Sequence, residues 1–206
     1  MAYWFHLSGG KMNIRLRCRC GKLQGELDTA AVAARAKCYC TDCRAFARFL
    51  GNEITLLDGA GGTEVAAALP SGVRFSQGLD QLACMSLSPK GLYRWYARCC
   101  RTPIGNTPRD PKLPYVGVIR ACLAASPAEL DAALGSSHIA TNTRTAYRRV
   151  AATPVATALA AARIGGKIVK ARLTGSWKDN PFFVPGSATP VRQPEVISAE
   201  RRAQLS

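Results

Sequence analysis

Histidine is scarce in this sequence: His6 and His138 are the only two in 206 residues. A Ser/His/Asp relay or a mixed cysteine–histidine zinc finger therefore has little to draw on. His138 stands after a Gly-Ser-Ser stretch and reads as a surface-loop residue rather than a ligand, and His6 falls in the opening segment. Long apolar runs are also missing. The longest, Val155 to Ala162, is Ala-rich and interrupted by Thr157, far short of the roughly 18–20 residues that a membrane span needs. The opening MAYWFHLSGGKMNIRLRC has no basic start, apolar stretch and small-residue cleavage site of the kind that marks a secretion signal. Met12 reads as a natural start, with residues 1–11 as an N-terminal extension, and the expected location is cytoplasmic.

Acidic residues are few, 13 against 28 Lys and Arg, so the net charge is +15. Such a balance raises nucleic acid as a partner. The basic residues are scattered, however, with no long basic run and no recognition-helix motif. Nucleic acid is thus not the expected partner, whereas an anionic small molecule suits the charge. The hydrophobic fraction of 48% and the charged fraction of 20% place the chain among globular proteins. Its length suits one domain with an appendage.

Cysteine is what the sequence does have. Seven of the nine cysteines form tight groups: Cys18 and Cys20 in CRC, Cys38, Cys40 and Cys43 in CYCTDC, and the adjacent Cys99 and Cys100. In a cytoplasmic chain, an odd number of cysteines in such groups suits metal chelation better than structural disulfides. Cys84 and Cys122 stand alone and read as small core hydrophobes. A redox use of CYCTDC is the competing reading, and full metal occupancy would argue against it.

The pattern along the chain is β-rich first and helical later. Residues 13–19 alternate apolar and basic and read as a half-buried strand, followed after a turn at Gly21 by KLQGEL as a second short strand. Residues 29–36 read as helix or loop, and RAFARFL as a helix capped by Thr41 or Asp42. Residues 51–65 read as a strand fragment and a Gly-rich turn. Strands are expected at Val73–Phe75, Leu82–Leu87 and Tyr93–Ala97, with SPKG as a hairpin turn between the last two. RTPIGNTPRDPKLP reads as a Pro-rich loop, and residues 116–124 as a strand. Ser126 and Pro127 open a helix. The stretch from 140 to 173 reads as mostly helical, broken at Pro154 and at Gly165–Gly166, and the tail from Ser176 as extended chain. This divides the chain into a zinc-binding β domain at 12–125 and a helical extension with a Pro-rich tail at 126–206.

Geometry explains why the spacing favours metal. Residues i and i+2 of a strand share a face, so Cys18 and Cys20 present two sulfurs together, a bite suited to one tetrahedral ion with Zn–S near about 2.3 Å. Cys99–Cys100 is the remaining tight pair that can complete the set. Adjacent strand residues point apart, so joint ligation requires a bend at 99–100; otherwise the site is three-coordinate or Cys84 substitutes. C-x-C-x-x-C at Cys38, Cys40 and Cys43 wraps one ion locally and leaves a fourth position open. A helix N-terminus and Arg44 beside Cys43 favour thiolate.

At CRCGKLQGEL, CYCTDCRAF and CCRTPIGN the chain resembles the glutathione-dependent formaldehyde-activating enzyme/centromere protein V family, over about residues 14–110. The resemblance implies a mainly β, Mss4-like fold, a β-tent clamped by zinc, here followed by a C-terminal α-helical extension. It implies a structural Zn2+ at Cys18, Cys20, Cys99 and Cys100, and a second, reactive site at Cys38, Cys40 and Cys43. The activity it implies is that of a carbon–sulfur lyase joining formaldehyde and glutathione as S-hydroxymethylglutathione. The family's later pair usually reads C-x-x-C-G; here Ala97 takes the place of the first cysteine and Arg101 that of the glycine.

Two functions follow as expectations. In the first, the three-cysteine zinc site, catalytic through Cys38, Cys40 and Cys43, acts on the adduct of an aldehyde with a small thiol such as glutathione, whose carboxylates Arg44 and Arg48 hold. In the second, both clusters are structural and the chain is a zinc-stabilised binding module. Its helices, with Tyr147, Val150, Val155 and Leu159 among Arg144, Arg148, Arg149 and Arg163, would then meet an acidic protein or a membrane surface, the plainer alternative being that they pack against the β domain.

Overall fold

In the computed structural model, residues 7–8 and 11–205 are described; His6 and most of the expected extension at 1–11 lie outside them. The elements run β1 (Leu7–Ser8), β2 (Lys11–Arg17), β3 (Gln24–Asp28), β4 (Val32–Cys38), α1 (Thr41–Phe49), α2 (Glu53–Leu56), β5 (Thr63–Ala68), β6 (Val73–Gln77), β7 (Leu82–Ser86), β8 (Tyr93–Ala97), β9 (Thr102–Thr107) and β10 (Val116–Ile119). Then come α3 (Pro127–Leu134), β11 (His138–Thr141), α4 (Pro154–Thr174), β12 (Glu195–Val196) and α5 (Ala199–Leu205).

The fold is mainly β. A small antiparallel sheet pairs β2, β3 and β6, with β1 on the outer edge of β2. A larger mixed sheet has the order β11-β4-β5-β10-β9-β8-β7-β12. Its inner strands are antiparallel, while β11 and β12 join its two edges in parallel. Both edge strands come from the segment after residue 125, so the helix-richer part of the chain also completes the sheet.

Alternation along the strands builds two cores. Tyr93, Trp95 and Ala97 of β8 face the small sheet, where Ile14, Leu16, Leu27 and Val73 meet them. Trp95 is fully buried and satisfies its indole N–H on Thr107 Oγ1 at 2.9 Å. The intervening Arg94 and Tyr96 face the other side, as the period of two requires. There Ala36, Val65, Met85 and Ile119 pack under Phe46 and Leu50, with Leu205 of α5. Cys84 and Cys122 are buried in the first core, as their isolation in sequence implied. Burial pushes both thiols up to about 12.

Several local expectations are corrected. Residues 29–31 form a single 3-10 turn and 32–38 a strand, because β11 and β5 flank this alanine-rich stretch on both sides. Residues 53–56 are a short helix rather than a strand. The Pro-rich stretch after Cys100 opens with β9, which is buried throughout. A bulge opposite Trp95 and Tyr96 accommodates Pro103. Gly105 eases the close approach there, since a Cβ would lie 3.0 Å from the Gly117 carbonyl oxygen, a tight contact. Ser126 forms a full capping box with Glu129, with Pro127 in the first turn. Pro154 starts α4 instead of breaking it, and α4 runs through Gly165–Gly166. The tail carries α5 at its end.

Candidate metal centres

The first cluster joins two turns from opposite ends of the β region. Cys18 follows β2, and its turn closes through Gly21 N–H donating to Cys18 O at 2.9 Å, with Gly21 at φ +78°. Cys99 and Cys100 occupy the turn between β8 and β9. This turn supplies the bend that an adjacent pair needs: Arg101 N–H donates to Ala97 O at 2.8 Å, and Arg101 takes φ +56°. The left-handed residue of this turn is thus an arginine rather than a glycine. The two turns are tied by Arg19, whose backbone N–H donates to Thr102 Oγ1 at 3.0 Å and whose guanidinium donates to Cys100 O at 3.1 Å.

The sulfurs of Cys18, Cys20, Cys99 and Cys100 lie within 4.8 Å of one another. Cys18 Sγ is 3.6 Å from Cys20 Sγ and 3.9 Å from Cys99 Sγ, and Cys20 Sγ is 3.3 Å from Cys99 Sγ. A tetrahedral ion with Zn–S near 2.3 Å separates its sulfurs by about 3.8 Å, so the four thiols fit one ion. Cys84 takes no part. Burial would raise the Cys100 thiol, but hydrogen bonds from Thr102 and Cys20 outweigh it and pull it down to about 6. Cys99 and Cys18 are raised, chiefly by burial, as thiols hydrogen-bonded to their neighbours.

The second cluster is built on a strand end and a helix start. Cys38 closes β4, and Cys40, not Thr41 or Asp42, is the N-cap of α1: its sulfur accepts from Cys43 N–H at 3.3 Å. Cys43 sits in the first turn of α1, where unpaired N–H groups and the helix dipole favour an anionic sulfur. The three sulfurs lie within 4.8 Å of one another, with no fourth histidine, cysteine or carboxylate donor among the described residues. Hydrogen bonds from Cys40 and Cys43 hold the Cys38 thiol far below its ordinary range and raise the two donors. The set can hold a metal ion at three positions.

Residues 141–147 brace this cluster, and no sequence motif announced them. Tyr39 N–H donates to Thr141 O at 3.0 Å. Asn142 Nδ2 donates to Cys38 Sγ at 3.3 Å. Arg44 donates to Tyr39 O and Thr145 O, both at 2.7 Å, and lies over the Tyr147 ring at 4.7 Å. Arg48 is held by Glu53, Leu205 O and Tyr147 Oη. Both arginines thus serve as struts between neighbouring segments, and neither lines the cavity beside the cysteines. His138 also has a structural place, its Nε2 2.9 Å from Glu64 Oε1.

Cys38, Cys40 and Cys43 line a cavity of about 560 Å³ between the main sheet and α4. Its floor is one face of the sheet, Ala34, Ala36, Val65, Ala67 and Gly117, and its roof is Ala160, Ala161 and Ile164 of α4. Arg94, Asn106 and Tyr115 also reach it. Arg94 is held by Asn106 Oδ1 at 3.3 Å and Asp42 Oδ2 at 3.5 Å. At the first cluster, Arg19, Arg48, Arg98 and Arg101 line a recess together with Cys99 and Cys100. No helix among the described residues is long and apolar enough to cross a membrane.

The chain belongs to DUF6151, a family of unknown function, whose model matches residues 11–191. No curated protein matches it. Among solved structures it is similar to a Rhodobacter sphaeroides protein known from a structural-genomics crystal structure. That likeness has 22% identity and a TM-score of 0.41, and covers 57% of this chain and 94% of the other.

Proposed function

We propose that this DUF6151 chain holds two zinc ions, a closed clamp at Cys18, Cys20, Cys99 and Cys100 and an open site at Cys38, Cys40 and Cys43, and that the open site makes and breaks the carbon–sulfur bond between a thiol and an aldehyde. The observation that carries the reading is the contrast between the clusters. Four sulfurs complete a tetrahedron, whereas three leave a position over and line a cavity large enough for a small substrate. All-sulfur donor sets at this spacing favour zinc over harder cations. The two facing sheets and the clamp at their ends support the Mss4-like, β-tent reading of the fold. The order CRCG, CYCTDCR and CCRTPIGN supports kinship with the formaldehyde-activating enzyme/centromere protein V family.

Zinc held by three thiolates supplies a Lewis-acid position and favours the anionic form of a fourth sulfur ligand. The protein's own groups account for the rest. When a thiol sulfur adds to an aldehyde carbon, a C–S bond forms, the C=O π pair moves to oxygen, and the thiol's proton ends on that oxygen. Tyr115 lines the same cavity, and its phenol hydrogen-bonds to none of the described residues. Burial pushes it up to about 12, so it stays protonated and can donate to the developing alkoxide. In the reverse direction the same contact stabilises the oxygen as the C–S bond breaks. Asn142 fixes Cys38 through its amide.

Metal analysis of the purified chain and nuclear magnetic resonance exchange between free and thiol-bound aldehyde test this together. We expect two zinc ions per chain, one in Cys40→Ser, and adduct exchange faster than in buffer for the native chain but not for Cys40→Ser or Tyr115→Phe. One ion in the native chain, or exchange at the buffer rate, would overturn the reading.

A further inference from the structure

The wall of the cavity is unlike a glutathione site. Six of its floor and roof positions, Ala34, Ala36, Ala67, Gly117, Ala160 and Ala161, are small, and Val65, Ile139 and Ile164 add apolar surface. The charged groups that reach it are Asp42 and Arg94, and they bind each other while Arg202 donates to Asp42 at 2.9 Å. Arg44 and Arg48, the natural anchors for ligand carboxylates, are turned to carbonyls, Glu53 and Tyr147 instead. A tripeptide bearing two carboxylates and an ammonium group would meet a few neutral polar groups, Asn106, Thr141 and Thr157 among them, but no charged side chain other than the paired Asp42 and Arg94, so its charges would lie largely against alkyl groups, a costly burial.

We infer that the substrate thiol of the open site is a small apolar one, an alkyl or aryl thiol or its aldehyde adduct, whose carbon body lies against Ala34, Ala36, Ala67 and Ile164 while its sulfur meets the cysteine cluster. This rests on the open-site reading proposed above and narrows it to a substrate class. The small residues are what creates the room: on a β-strand flanked by strands on both sides, β-branched residues would be the ordinary filling, and here alanines occupy the face below α4. The apolar wall rewards chain length, since each buried methylene contributes about fourfold in affinity.

The test uses the full chain loaded with Co2+, whose visible absorption reports a change in sulfur ligation independently of turnover. Ethanethiol, butanethiol, hexanethiol and glutathione are titrated into it. We expect affinity to rise about threefold to fourfold per methylene across the alkyl series, with glutathione weaker than butanethiol. Ala67→Leu narrows the cavity from the floor, and Ala161→Phe does so from the exposed roof without touching the core. In each, the gain with chain length should shrink while cobalt content stays at the native value. A flat alkyl series, or glutathione binding as tightly as hexanethiol, would overturn the apolar substrate class and leave the open site standing. No spectral change with any thiol at full cobalt occupancy would overturn the open site itself, and the substrate class with it.

Discussion

Asn142 donates its side-chain amide to Cys38 Sγ at 3.3 Å from 104 residues further along the chain. Asn142 itself takes the left-handed conformation, φ +56°, which asparagine tolerates better than most residues. The bond links the later part of the chain to the earlier cysteine cluster. A hydrogen bond to a ligating atom orients it and tunes its basicity, and its loss typically weakens a metal site by about 10–100-fold. Asn142→Gly keeps the backbone conformation and removes the amide. It should lower zinc affinity at Cys38, Cys40 and Cys43 by about tenfold or more and leave the four-sulfur clamp unchanged. Competition with a chromophoric chelator resolves the two sites. Equal affinity in the variant would mean that the amide does not act on the metal site.

Arg101 carries a measurable backbone strain. A non-glycine residue in the left-handed region costs roughly 1–2 kcal/mol, and the turn that turns both Cys99 and Cys100 toward Cys18 and Cys20 depends on it. Its guanidinium also donates to Phe49 O and lies over the Phe49 ring at 5.1 Å. Comparing Arg101→Gly with Arg101→Ala separates the effects, since both lose the side-chain contacts. The glycine variant should be about 1 kcal/mol more stable than the alanine variant in chemical denaturation at saturating zinc. Equal stability would show that the turn relaxes without strain.

The cysteine groups and the strand alternation were legible because each rests on local spacing. CxC and CxCxxC state their chelate bites in a few residues, and Trp95 and Tyr96 separate to opposite faces by the period of two alone. The bend at Cys99–Cys100 was legible as a requirement, not as a conformation, because nothing in the sequence shows that Arg101 adopts positive φ. What stayed hidden depends on partners distant in sequence. β4 is alanine-rich and becomes a strand because β5 and β11 pair with it on either side. β9 contains Pro103 and Gly105, turn residues by composition, and becomes a strand through a bulge and a close approach to Gly117. Asn142 and Tyr115 reach the second cluster from loops with no motif. The cavity follows from where α4 docks, which local propensity does not encode.

Glu64 sets a pH limit on the fold. It accepts from the buried Arg35 at 2.7 Å and lies 2.9 Å from His138 Nε2, and Arg35 also pairs with Asp131 at 2.5 Å. Burial would raise the Glu64 carboxyl, but hydrogen bonds from His138 and Arg35 outweigh it and lower it below its ordinary value of 4.5. A carboxyl depressed by folding adds stability that is fully present above the unfolded value and is lost as pH falls through the folded one. Glu64→Gln should therefore cost roughly 1.5–3 kcal/mol near neutral pH, the worth of a hydrogen bond to a charged group. That difference from the native chain should shrink as the pH is taken below 4.5, once the native carboxyl is itself protonated. Denaturation at matched metal occupancy across this range checks the sign. A difference that grows on acidification would assign the effect to another group.

The two clusters should part company under chelation. The four-sulfur cluster joins turns 81 residues apart, as Cys18 and Cys99 measure it, so an ion held there would close a long loop and tie the ends of β2, β8 and β9 together. The three-sulfur cluster spans only Cys38 to Cys43 and is also braced by protein hydrogen bonds from Asn142, Thr141 and Arg44. Loss of the clamp ion therefore removes folding free energy, as for structural zinc generally, whereas loss of the other ion removes a ligand position and little tertiary structure. A mild chelator should strip the three-sulfur site first, with unchanged far-ultraviolet circular dichroism and a small drop in Tm. A strong chelator, or Cys20→Ser, should then lower Tm by more than 10 °C, since several kcal/mol at roughly 2–4 °C per kcal/mol are at stake in a chain of this size. Cys40→Ser should behave as the mildly chelated protein does. The opposite order of release, or a Cys20→Ser chain as heat-stable as the native one, would remove the distinction between a clamp and an open site.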